Sequence, residues 1–236
     1  KMDNRLKIWL GYVSYPVTTA AYFERALRKH YDVVTIGPRI PSEVMKLWNL
    51  ENMKLPILDH QIPTDKSPDL EYIYNSTPVD QRPDLYFWVE SVYGHFPTNL
   101  DKLKIPKICY LIDSHLNNLS YQVEWAQNFD YVFIAQKEYI SKFKEVGCKN
   151  VFWVPLGCDP EIHKTTNQQK IYDVGFVGGV IGNDRRVSLI EKIQAEHNFY
   201  YERCFWDDMS KVLDSSKIVF NNAVNNNLPI FQRILF

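Results

Sequence analysis

Residues 83–134, PDLYFWVESVYGHFPTNLDKLKIPKICYLIDSHLNNLSYQVEWAQNFDYVFI, decide the fold. Three runs inside this stretch are short, almost wholly apolar and bounded by polar residues or proline: Leu85–Val89 (LYFWV), Lys107–Ile112 (KICYLI) and Tyr131–Ile134 (YVFI). A strand with one wet face alternates apolar and polar side chains. A strand that is apolar throughout is buried on both faces, as in a parallel sheet covered by helices. Upstream, Lys7–Val13 reads as a strand ending at Ser14–Pro16, and Thr19, Tyr22, Phe23, Ala26 and Leu27 then form one helical stripe that ends near His30. Val33–Ile36 follows as a strand stopped by Gly37-Pro38. Downstream, Lys137–Val146 reads as a helix closed by Gly147, and Val151–Val154 as a further strand.

The segment Gly157–Lys170 is polar, holds Pro160 and lacks apolar periodicity, so it reads as a linker. The pattern then restarts with strand Asp173–Val177, helix Arg186–Ile193, strand Phe199–Cys204, helix Asp207–Leu213 and strand Lys217–Phe220. The expected fold class is therefore α/β, with two doubly wound nucleotide-binding-type domains at 1–157 and 158–236. In open parallel sheets ligands lie outside the carboxyl ends of the strands, so function is sought just after each strand.

A chain of 236 residues can bury a sizeable core. Its net charge of −1 argues against a strongly basic nucleic-acid-binding surface. The 15 Tyr, 13 Phe and 6 Trp suit either a packed core or a surface that stacks rings on sugars or bases. Cys109, Cys148, Cys158 and Cys204 have no CxxC spacing, which points away from a zinc site or redox pair. The polar start and the lack of any apolar run near the roughly 20 residues of a membrane helix give the expectation of a cytoplasmic protein.

Four places could carry chemistry. Gly178-Gly179 between a strand and a helix would let the backbone approach a phosphate, with helix N–H groups beyond it. Arg185 and Arg186 stand at the positive end of that helix dipole, where cations are unfavourable unless an anion is present. They are otherwise solvated arginines beside a glycine turn. Near the end, Asn221-Asn222 and Arg233 offer phosphate-binding groups, or a capped turn and a surface arginine. Asp113 and His115 follow the strand Lys107–Ile112, where a carboxylate and an imidazole could orient and deprotonate a hydroxyl, or simply form an Asx-turn. Glu90, at the exit of Leu85–Val89, aims at the same crevice. His60, His95 and His163 lack comparable context and read as core or surface residues. With no Asp-x-Asp at a strand end, metal-bridged donor binding is not expected.

From about Pro83 onward the chain resembles the glycosyltransferases related to the spore-maturation protein CgeB, within the group-1 or family-four enzymes of GT-B fold. The resemblance rests on PDLYFWVES, IPKICYLIDSHLN, FDYVFIAQKEYISKFKEVG, VFWVPLGCDPEIH, YDVGFVGG and SSKIVFNN…FQRILF, in that order. It implies a nucleotide-sugar co-substrate docking on the second domain, no metal or other cofactor, and a carbohydrate, protein or lipid acceptor on the first. It implies donor contacts from Gly178, Gly179, Arg185 and Arg233, with Asn222 beside them, and sugar-transfer roles for His115 and Asp113. It also implies that the second domain is incomplete, with an apolar sheet edge suited to a homodimer and little activity in this chain alone. A sugar-nucleotide epimerase and a non-catalytic two-domain ligand-binding protein are the competing expectations.

Overall fold

The computed structural model describes residues 5–51, 53, 55, 57–91 and 94–222. It divides into two compact units, Lys1–Pro155 and Leu156–Phe236. The first unit contains β1 (Lys7–Gly11), α1 (Ala20–Leu27), β2 (Asp32–Gly37), α2 (Ser42–Leu47), β3 (Ile62–Pro63), α3 (Leu70–Ser76), β4 (Leu85–Val89), β5 (Lys107–Leu111), α4 (Leu119–Ala126), β6 (Tyr131–Ile134), α5 (Ile140–Glu145) and β7 (Val151–Trp153).

Its strands form one sheet in the order β3-β2-β1-β4-β5-β6-β7. Every pairing is parallel. This is a Rossmann-like α/β sheet, and winding reverses between β1 and β4. β4 and the second half of β5 are buried on both faces, which explains their lack of alternation, whereas in β6 Val132 and Ile134 are buried, Phe133 is half-buried and Tyr131 is exposed. On one face Trp9, Tyr86, Trp88, Cys109, Leu111, Val132 and Ile134 pack with Leu70, Ala126 and Phe143 of α3, α4 and α5. On the other, Phe23 of α1 meets Phe87 and Tyr110 edge-on or tilted.

Part of the aromatic excess of this unit is core, while Tyr31, Tyr72, Tyr131, Phe152 and Trp153 are exposed. Phe96 and Trp125 stack at 5.0 Å, Trp88 and Phe129 stack at 5.9 Å, and Trp88 meets both Phe96 and Trp125 edge-on. Edge-to-face and offset pairs of this kind add about 0.5–1.5 kcal/mol each beyond the area they bury.

The second unit contains β8 (Tyr172–Val177), α6 (Asp184–Glu196), β9 (Phe199–Glu202), α7 (Trp206–Asp214) and β10 (Ser216–Val219). Its parallel sheet runs β10-β8-β9, so winding reverses between β8 and β10. The polar segment read as a linker belongs to this unit. Asp214, at the end of α7, accepts the backbone N–H groups of Thr166 and Gln168 and bonds the hydroxyls of Thr165 and Thr166. Ser210 donates to the Ile162 carbonyl at 2.8 Å. Without apolar periodicity, such a segment shows no sequence sign of being anchored; its partners are hydrogen bonds from a distant helix. Among the described residues no helix is long and apolar enough to cross a membrane.

Candidate functional site

In the first unit the reversal point gathers the residues just after β1, β4 and β5. Glu90 follows β4 and is only 6% exposed. Its Oε2 accepts the Ile112 N–H at 3.2 Å and the Gln122 Nε2 at 2.6 Å, and Tyr121 adds a further hydrogen bond. The same Gln122 nitrogen donates to the Ile112 carbonyl at 2.6 Å. Burial pushes the Glu90 carboxyl up to about 7; the hydrogen bonds oppose this shift, and the neighbouring Asp113 charge reinforces it.

Asp113 follows β5 in a left-handed conformation, φ 56° and ψ 30°, which costs a non-glycine residue energy and recurs where surrounding structure holds a functional group in place. Burial raises its carboxyl as well, with His115 acting in the opposite direction. A single π-turn, Ser114–Asn118, carries the chain from Asp113 into α4; such turns are frequent at functional sites. The phenol of Tyr15, beyond β1, is pushed up by burial, with the Asp113 and Glu90 charges contributing. Thr18 Oγ1 and Ser91 Oγ lie 3.4 Å apart, the hydroxyls closing the gap between the β1 and β4 ends.

Among the described residues four buried polar atoms here have no hydrogen-bond partner: Ser114 Oγ, His115 Nδ1, Gln122 Oε1 and Gln136 Nε2. Gln136 is tied to the cluster by its Oε1, which accepts the Ser114 N–H at 3.4 Å. Each such atom costs about 1–3 kcal/mol of desolvation.

The structure thus brings Glu90, Asp113 and His115 together. Sequence reasoning missed Gln122, Gln136 and Tyr15. Gln122 and Ala126 are the buried positions of α4, spaced i and i+4, so a glutamine stands where helical periodicity calls for an apolar residue.

In the second unit β8 runs into Gly178-Gly179, and Asn183 caps α6 by accepting the Arg186 N–H at 2.9 Å. Gly179 has open space where a side chain would stand. Arg186 is only 3% exposed. Its guanidinium donates to the Gly179 carbonyl and, at 2.6 Å, to the Asn222 carbonyl, and it lies 5.3 Å from the Phe176 ring centre. It therefore ties the carboxyl ends of β8 and β10 at the reversal point.

Gly179 and Asn222 are brought together by this clamp, with Gly178 beside them. Among the described residues the buried Asn222 Oδ1 and Asn183 Nδ2 have no hydrogen-bond partner there. Arg185 is exposed on the first turn of α6. Arg233 lies outside the described residues. Sequence reasoning saw two arginines at a helix start and favoured Arg185 as the ligand contact; burial distinguishes Arg186. Among the described residues no group of three or more His, Cys, Asp or Glu is placed to hold a metal ion.

No protein-family model matches this sequence, and no curated protein matches it significantly.

Proposed function

We propose that the chain is a glycosyltransferase of the GT-B type that moves a sugar from a nucleotide-sugar to a hydroxyl acceptor. The observation that carries this reading is the buried polar cluster of Glu90, Asp113, Gln122 and Gln136 at the reversal point of the first sheet. The Glu90 carboxyl, pushed up to about 7, suits proton transfer near neutral pH, and the polar groups around it suit a hydroxyl-rich acceptor.

Features of the second sheet support a diphosphate ligand. Gly178-Gly179, with open space beside Gly179, leads into the N-terminus of a 13-residue helix, whose dipole favours an anion. In the proposed reaction an acceptor hydroxyl oxygen bonds to the sugar's anomeric carbon as the bond to the diphosphate oxygen breaks. The hydroxyl proton passes to the Asp113–His115 pair, with Glu90 adjacent. Taken by itself, the second unit has the α6 dipole and Arg185 to suit the negative charge of a diphosphate.

The test is incubation with UDP-, GDP-, ADP- and TDP-sugars, with and without simple sugar acceptors. Release of nucleoside diphosphate is the expected result. Conversion to a new sugar-nucleotide would indicate epimerisation instead, and binding without turnover a ligand-binding protein.

A further inference from the structure

A separate site lies in the first unit, two strands from Glu90 along the same sheet edge. The carboxyl ends of β2 and β3, paired at Gly37 and Pro63, help to wall a cavity of about 390 Å³ lined by Gly37, Arg39, Asp59, His60, Thr64 and Asp65. That volume falls within the roughly 300–1,000 Å³ of small-molecule sites.

Its wall is fixed. His60 is only 7% exposed and packs edge-on against Tyr12 at 4.5 Å, while the Tyr12 hydroxyl donates to Glu24 at 2.6 Å. A side chain at Gly37 would overlap the Tyr12 carbonyl oxygen and come within 3.1 Å of His60 Nε2, so the backbone passes there only as glycine. Thr64 is held by its N–H to the Gly37 carbonyl and its hydroxyl to the Lys66 carbonyl.

Among the described residues no well-formed hydrogen bond reaches either His60 nitrogen, and the Pro38 and Tyr12 carbonyls lie near the ring. Burial favours the neutral imidazole, which therefore presents one unmatched donor and one unmatched acceptor. At the rim Arg39 pairs with Asp59, and Asp65 is exposed.

This set selects a ligand by exclusion. An anion would meet the Asp59 and Asp65 carboxylates, a cation would meet Arg39, and an apolar group would leave the buried His60 ring without a polar partner. Adjacent hydroxyl groups suit such a lining, since each can donate to a carboxylate while accepting from a guanidinium or imidazole. We propose that this cavity binds a small neutral polyol through hydroxyls on adjacent carbons, carried either by a monosaccharide or by the ribose of a nucleoside.

The test is ligand-observed NMR and isothermal titration of the whole chain with glucose, galactose and mannose in one arm and uridine and adenosine in the other. The proposal expects saturable binding in one arm, weakened about tenfold or more by Asp65→Asn and by Arg39→Met, the loss expected for a charge-assisted hydrogen bond. It expects Gly179→Val to leave that binding unchanged. The responding arm identifies the source of the diol. Asp65 is exposed, so Asp65→Asn decides the matter if Arg39→Met impairs folding. Absence of saturable binding in both arms, or binding that Asp65→Asn leaves unchanged, overturns the proposal.

Discussion

Glu90 carries a stability cost that a purely structural residue would not. Its carboxyl is displaced from an ordinary 4.5 to about 7, so between those values the folded chain holds a proton that the unfolded chain releases. Stability contributed by the protonated form is complete below about 4.5, falls as pH rises through the window and stays low above it. At about 1.4 kcal/mol per pKa unit the displacement corresponds to at most about 3 kcal/mol. Glu90→Gln, which keeps an acceptor for Ile112, should raise the melting temperature by a few degrees at pH 8 and leave it nearly unchanged at pH 4, read by calorimetry across pH. Equal effects at both values would show that Glu90 is neutral-packed or charge-paired rather than held near 7. At the same cluster, His115→Ala should lower kcat by about 10²-fold if the imidazole takes the acceptor proton. Unchanged turnover in a folded variant would remove His115 from the mechanism.

At the scale of elements, the α6 start and the α7 end are the points where side chains join distant backbone. Arg186→Met would leave the Gly179 and Asn222 carbonyls without their donor. With about 1.5–3 kcal/mol for each hydrogen bond from a charged group, offset by the desolvation of a buried charge, a loss of about 2–4 kcal/mol is expected. Hydrogen exchange should quicken at β8 and β10 before it does in the first unit. Asp214 is held below the usual carboxylate range first by the Gln168 N–H and then by Thr166 and Lys170. Its contribution is present above the unfolded value and lost as pH falls through the folded one. Asp214→Asn should therefore destabilise the chain at neutral pH and make no difference at strongly acid pH, followed by denaturant unfolding.

These elements also show what a sequence can reveal. β4 and β5 were legible because burial on both faces leaves an apolar run with no other explanation, and β6 because its YVFI run is apolar although Tyr131 is exposed. β3, only two residues long, α3 and α4 were not, since YQVEWA and LEYIYNS mix aromatic and polar residues without a clean stripe. The site followed the same rule. Glu90, Asp113 and His115 could be found from their places at strand ends. Gln122 could not, and Arg186 was singled out only as one of two arginines at a helix start, because their roles arise only when an inward-facing amide meets Glu90 and when β10 comes beside β8.

The whole molecule comprises two parallel α/β units, each with polar groups gathered where its winding reverses. Trp9, Tyr86, Trp88 and Phe129 are spent in the core of the first unit, while Phe152 and Trp153 are exposed on its edge strand. In the proposed function the β8–α6 turn receives a nucleoside diphosphate. The most direct measurement is isothermal titration of UDP, GDP, ADP and TDP into the chain and into Gly179→Val. Because the space beside Gly179 is open, the valine variant should fold and melt like the parent while closing the approach to the backbone. The account predicts saturable binding of one nucleotide and a loss of about tenfold or more in the variant, equivalent to about 1.4 kcal/mol or more. No binding by any of the four, or equal affinity in parent and variant, would contradict it.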